Sequence, residues 1–266
     1  MPDASKASLG IIGTGMMGSS IGIRARELGW RVTGFDLVAQ AAEEAVQCGA
    51  IDAAKSREEI CSDADVIVIA THIGGTLVEM ERMRFSPPRK ARLIIDIASV
   101  KAPIVAAARG LKNFVATHPM AGRERSGPEA ATRDVFEGKM WLYVPSGDSE
   151  LDWRAVELIG AFGAIPFEVY AAEHDRVVAL TSHVPQIVSN CFAARLRDDV
   201  APFMGPTARE LSRLSRSSDA MWRDILAANS GNIARELRAL AADLNETAGQ
   251  LERAPLLDKL DLPWST

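Results

Sequence analysis

The string GIIGTGMMGSSIG, residues 10–22, constrains this chain more tightly than anything else in it. It follows a short strand-like run, Leu9–Gly13, and opens a stretch with helical spacing of apolar residues, Met16–Leu28. Gly13, Gly15 and Gly18 form a G-x-G-x-x-G pattern, and each glycine has its own task. The first permits a tight turn, the second lets the backbone approach a pyrophosphate, and the third lets the helix pack close to the strand. The helix N-terminus then presents N–H groups and a partial positive charge to the phosphates. Asp36 ends the next strand-like run, 18 residues after Gly18, where a carboxylate can hold the ribose hydroxyls of an adenosine. A carboxylate there repels a 2′-phosphate, and residues 37–42 contain no Arg or Lys to neutralise one, so NAD is expected rather than NADP. The expected cofactor set is Gly13, Gly15, Met16, Met17, Gly18 and Asp36.

The runs Arg31–Asp36, Asp65–Ala70, Arg92–Ile97, Phe114–Thr117, Met140–Val144 and Ile165–Val169 read as further strands, separated by helix-like segments such as Ala39–Cys48. Unbroken apolar runs such as VIVIA and LIIDI suit a parallel sheet covered on both faces, so residues 1–170 are expected to form a doubly wound Rossmann domain. From Ala171 the strand signals stop and Ala, Leu, Arg and Glu dominate. Residues 171–266 are expected to be an all-helical domain that packs against a second copy, giving a homodimer.

Composition excludes several classes. The net charge is −5 and the 30 basic residues are scattered, against a nucleic-acid partner. No apolar run reaches the ~18–20 residues of a membrane span, and the short lead into the first strand suggests no signal peptide. Cys48, Cys61 and Cys191 suggest reduced thiols in a cytoplasmic protein, and the spacings of His72, His118, His174 and His183 fit no metal motif.

Open α/β sheets bind ligands at the carboxyl ends of their strands. Two polar exits stand there: Ala98-Ser99-Val100-Lys101 after LIIDI, and His118-Pro119 after FVAT. Histidine suits a base near neutral pH, and a neighbouring serine can orient the group being deprotonated; a loop histidine bonded to backbone is the plainer alternative for His118.

These residues carry a resemblance. THPMAGRERSGPEAA, preceded by DIASVK and followed by AAEHDRVVALTSHVPQ and ELSRLSRSSDAMWRDILAAN, resembles the prephenate and arogenate dehydrogenases, from the glycine loop to about Asn229. The resemblance implies an NAD(P)-dependent oxidative decarboxylation of a cyclohexadienyl acid on the route to tyrosine, with a helical dimerisation domain. It implies His118 as catalytic base, Ser99 beside it, Lys101 assisting, and His183 and Arg213 as substrate-binding residues. Gln186 stands where the family often has a second histidine, and its amide carbonyl would suit the ammonium of arogenate. His174 and His183, nine residues apart, would lie on opposite faces of an uninterrupted helix, so His174 is expected to be a surface or helix-start residue. His72 is expected either to border the cofactor cleft, with a hydrogen bond to the dinucleotide, or to be a packing histidine. Arg209, Arg213 and Arg216 would share one face of a helix.

No regulatory or chorismate mutase domain is expected after the helices, and any inhibition by tyrosine is then expected to act at the active site. Two alternatives stay open: a dehydrogenase for a related acid such as 4-amino-4-deoxyprephenate, and a non-catalytic NAD-binding sensor. Retention of Ser99, His118 and Arg213 speaks against the sensor. A β-hydroxyacid dehydrogenase would need a helical lysine that residues 171–195 lack.

Overall fold

The computed structural model describes residues 7–122, 125–197, 199–216 and 219–253; residues 254–266 of the expected helical domain lie outside the described residues. Contacts divide the chain into two compact units. The first takes the residues up to 175 together with 218–228, and the second takes 176–217 and the residues from 229 onward. The boundary therefore falls inside a helix, a few residues beyond 170.

In the first unit the strands β1 (Ser8–Ile12), β2 (Arg31–Phe35), β3 (Ala53–Ala54), β4 (Val66–Ile69), β5 (Leu93–Asp96) and β6 (Phe114–Val115) form one sheet in the order β3-β2-β1-β4-β5-β6. All its pairings are parallel. The order reverses on either side of β1, as in a doubly wound sheet. Strands β1, β4 and β5 are buried along their whole length, because helices cover both faces: α1 (Met16–Glu27), α2 (Ala39–Gln47), α3 (Arg57–Asp63), α4 (Ile73–Phe85) and α5 (Ala102–Ala107). Two apolar clusters result. One is built on Leu9, Ile11, Val68 and Ile95, the other on Ile12, Ile67, Ile69 and Ile94, as alternation along each strand requires. The short β3 and α3 had no counterpart in the sequence reading; α3 begins with a capping box, Ser56 with Glu59.

The expected strand Phe114–Thr117 is split. After β6 the chain leaves the parallel sheet and forms β7 (Thr117–Pro119), which pairs antiparallel with β8 (Met140–Tyr143). With β9 (Ile165–Glu168), parallel to β8, these make a second, three-stranded sheet. His118 thus sits on a strand, not in a loop. Behind it Trp141 is fully buried between Phe136 and Phe162, with ring centroids 4.9 and 6.0 Å away. The helix α6 (Ser149–Ala161) is capped by Asp148 and connects β8 to β9.

The helix α7 (Ala171–Val178) runs into a π-type turn, Ala179–His183, and then α8 (Val184–Ala193). In the second unit α8 packs against the turn Arg213–Arg216 and against the long α11 (Ser230–Arg253). The helix α9 (Pro206–Leu211) ends before Arg213, so the three arginines expected on one helical face do not share a helix. The helix α10 (Asp219–Ala228) returns to the first unit and packs on α4, with Ile225 in its core.

Candidate active site

Because β1, β4, β5 and β6 are parallel, their carboxyl ends share one edge of the first unit. At β1 the chain turns through Gly13, whose φ of 100° is a left-handed conformation natural to glycine. A Cβ on Gly18 would sit 2.0 Å from the Gly13 carbonyl oxygen, so α1 can approach the loop only without a side chain there. Space around Gly15, the N-cap of α1, is open, and no side chain caps this helix. Gly13 and Gly15, with Asp36, Leu37, Val38, His72, Val78 and Arg82, border a cleft of about 550 Å³. Asp36 is locked in place: one carboxylate oxygen accepts from the Thr14 N–H at 2.8 Å and the other from the Val38 N–H at 3.0 Å. The open backbone, the helix N-terminus and the fixed carboxylate fit a dinucleotide. The Met16 side chain is buried and neither Met16 nor Met17 borders the cleft, which leaves only their backbone N–H groups for phosphates.

Two cleft residues refine the reading from sequence. Arg82 comes from α4, outside the 37–42 window, and donates to Glu79 at 2.9 Å; Glu79 also accepts from Arg57 at 2.5 Å. His72 is not a packing residue, for its side chain is 60% exposed. It caps α4 by accepting the Gly75 N–H at 3.3 Å, and the same Nδ1 lies 3.0 Å from Asp224 on α10.

The end of β5 carries a buried polar network that fixes the start of β7. Asp96 accepts the Ala98 N–H at 2.9 Å, the Thr117 N–H at 3.0 Å and the Lys101 ammonium. Lys101 also donates to the Thr117 carbonyl at 2.5 Å, and the Thr117 hydroxyl donates to the Asp96 carbonyl while accepting the Trp141 indole N–H. Thr117 is held from both sides, which sets the position of His118. Lys101 is only 1% exposed and its ammonium points inward to this network; burial lowers its pKa against the pull of Asp96. Ser99 lies in the bend between β5 and α5, half-buried, at the same sheet edge.

His118 is half-buried, and its Nδ1 lies 2.9 Å from Nε2 of His174. His174 Nδ1 lies 2.7 Å from Asp175, whose oxygens accept the Lys101 and Ala102 N–H groups at 2.7 and 2.8 Å. The expectation of a surface His174 is therefore corrected: it is fully buried. Burial lowers its pKa, opposed by the hydrogen bond with Asp175. Its phase relative to His183 was read from an uninterrupted helix, and the π-type turn at 179–183 breaks that phase.

In the second unit His183 is buried, with Nδ1 3.2 Å from the Asn229 amide. Gln186 is also buried and spends its amide N–H groups on the Leu214 carbonyl at 2.6 Å and on Asn190 at 3.0 Å. It thereby holds the turn that carries Arg213. Arg213 is exposed and pairs with Glu210 at 2.9 Å. Sequence reasoning missed Asp96, Thr117, Trp141 and Asp175. A charged residue closing an apolar strand, as in LIIDI, is the signal that could have found Asp96. Among the described residues no group of three or more His, Cys, Asp or Glu could hold a metal ion, and no helix is long and apolar enough to cross a membrane.

Fold and site together define a dinucleotide-binding α/β protein with a histidine base candidate at the nucleotide edge of its sheet. Residues 21–162 match the prephenate dehydrogenase nucleotide-binding domain, and residues 170–256 the prephenate dehydrogenase dimerization domain. The chain belongs to the prephenate dehydrogenase family.

Among curated relatives, a probable prephenate dehydrogenase of Streptomyces niveus is 35% identical over 88% of this chain and 66% of its own length. The prephenate dehydrogenase of Bacillus subtilis is 32% identical over 86% of this chain and 66% of its own length. The chain thus spans just under two thirds of these relatives. The crystal structure of Aquifex aeolicus prephenate dehydrogenase with hydroxyphenyl propionate and NAD+ shares the fold with a TM-score of 0.86. It covers 93% of this chain and 91% of that one, at 24% identity. Synechocystis arogenate dehydrogenase shares the fold at a TM-score of 0.77 and 22% identity, over 92% of each chain.

Proposed function

We propose that this chain is an NAD-dependent dehydrogenase that oxidatively decarboxylates a cyclohexadienyl acid, prephenate or arogenate, for tyrosine synthesis. The observation that carries the reading is His118, held on a rigid strand at the nucleotide edge and backed by a buried histidine and carboxylate. Gly13, Gly15, Gly18 and the first-turn N–H groups of α1 would hold the pyrophosphate, and Asp36 the adenosine ribose. The Asp36 carboxylate, fixed by the Thr14 and Val38 N–H groups, would repel a 2′-phosphate, so NAD is preferred to NADP. NAD, when bound, supplies the hydride acceptor.

The substrate ring bears a hydroxyl and a hydrogen on C4 and a carboxylate on C1. His118 removes the hydroxyl proton as the C4 hydrogen departs with its electron pair, and Ser99 orients that hydroxyl. Loss of the C1 carboxylate as CO₂ returns an electron pair to the ring and leaves a phenolate, which takes back the proton held by His118 to become the phenol; aromatisation makes the sequence strongly downhill. Arg213 can grip a carboxylate with two parallel bonds, and His183 supports the same acid. Lys101 and Asp96 act through Thr117 by keeping His118 in place. Asn229 donates to Nδ1 of His183, which leaves the proton of the neutral ring on Nε2 as a donor.

The match to a dimerization domain and the exposed Leu244 and Leu251 on α11 support a homodimer through the C-terminal helices. The three cysteines are free, which supports a cytoplasmic setting. The test is steady-state NADH production from prephenate and from arogenate, with His118→Asn as control. Loss of a general base lowers kcat by about 10²–10⁴-fold, and unaltered turnover refutes the assignment.

A further inference from the structure

We propose that His174, held by Asp175, is a positioning residue that fixes His118 in the tautomer carrying its proton on Nδ1, so that Nε2 is the atom that accepts the substrate's hydroxyl proton. The inference rests on the reading of His118 as general base.

The chain of donors and acceptors leaves one consistent assignment. Both oxygens of Asp175 accept backbone N–H groups, from Lys101 at 2.7 Å and Ala102 at 2.8 Å, and a carboxylate is acceptor-only. The 2.7 Å contact from His174 Nδ1 to Asp175 must therefore carry a proton on Nδ1. Neutral His174 then has a lone pair on Nε2, which makes it the acceptor in the 2.9 Å contact with His118. His118 must supply the proton from Nδ1, and its basic lone pair resides on Nε2. His174 stays neutral because it is fully buried, and burial disfavours its cation. The charged groups that act on His174 include Asp175 on α7, Asp96 at the end of β5 and Lys101 ahead of α5.

During the reaction the substrate O–H bond breaks and an N–H bond forms at His118 Nε2, which makes His118 a cation. Its Nδ1–H bond to His174 then becomes charge-assisted and stronger. Asp175 sharpens this by polarising His174 from the far side. The same three groups therefore select the tautomer before proton transfer and stabilise the charge after it. Asp175 also ties the Lys101–Ala102 backbone to α7, so the relay is anchored to the network that positions Thr117.

Two measurements test the proposal. In ¹⁵N spectra of the resting protein, His118 is expected to be protonated at Nδ1 and unprotonated at Nε2; the opposite tautomer overturns the inference, with or without turnover. In kinetics with prephenate and NAD, His174→Phe is expected to lower kcat about 10- to 100-fold with little change in KM. It should also move the acid limb of the kcat/KM profile to lower pH by about half a unit to one unit, because the His118 cation loses its acceptor. His174→Gln, whose amide oxygen can accept from His118, should recover part of both effects. An unmoved acid limb in His174→Phe, or no recovery in His174→Gln, overturns the proposal. His118→Asn separates the two readings. If that variant retains turnover, the base assignment fails; if it is inactive while His174→Phe behaves as wild type, only the relay fails.

Discussion

Replacing Lys101 by methionine removes the ammonium from a site that is 1% exposed while keeping most of the side-chain volume. Asp96, fully buried, then loses its cation, and the Thr117 carbonyl loses the 2.5 Å donor. Breaking one side of a buried pair costs about 3–5 kcal/mol, most of it from the charge left behind. Asp96 keeps two backbone donors, Ala98 N–H at 2.9 Å and Thr117 N–H at 3.0 Å, so the lower end, about 3 kcal/mol, applies. For a chain of this size that corresponds to a fall in Tm of roughly 6–12 °C. Thermal melts of wild type and Lys101→Met, followed by tryptophan fluorescence, read the difference directly, since Trp141 is bonded to the same Thr117. A fall of less than about 2 °C would refute the claim that this pair holds β7 in place. If Tm falls as expected, kcat should fall with it below the melt, because His118 follows Thr117 in the chain.

Three further outcomes are expected. Gly18→Ala would place a Cβ 2.0 Å from the Gly13 carbonyl, a backbone atom that cannot swing aside. It should cost about 1–3 kcal/mol of stability and weaken NADH binding at least about tenfold in a fluorescence titration, and wild-type affinity would contradict the loop geometry. Burial holds the His174 pKa below its ordinary 6.5, so below that pH the unfolded chain binds more protons than the native one. Stability should then rise with pH up to about 6.5, and urea midpoints for His174→Gln should depend less steeply on pH in that window; equal slopes would count against a neutral buried His174. Gln186→His should shift preference between arogenate and prephenate in competing steady-state assays, and an unchanged ratio would exclude Gln186 from substrate choice.

The nucleotide half of the site was legible because its requirements are local. Gly13, Gly15 and Gly18 act through their own backbone, and the apolar runs VIVI and LIID announce strands covered on both faces. The catalytic half depends on pairings across the chain. His118 meets His174 over 56 residues and Lys101 meets Asp175 over 74, and no periodicity encodes either contact. His174 was misjudged because helix phase was carried through 179–183, where the π-type turn inserts a residue. Likewise the break at Ala116, which turns β7 out of the parallel sheet, is decided by pairing with β8 and not by the sequence FVATHP. The pairing of Lys101 with Asp96, the last residue of an apolar strand, was not legible either, because spacing alone does not distinguish a buried pair from two cleft residues.

The most direct measurement of the central claim is the fate of the hydrogen on C4. Prephenate carrying deuterium at C4, mixed with the protein and NAD, should yield reduced cofactor bearing that deuterium, one CO₂ and one 4-hydroxyphenyl keto acid per turnover, with His118→Asn slowing all three together. Deuterium released to water, or reduced cofactor formed without CO₂, would contradict it.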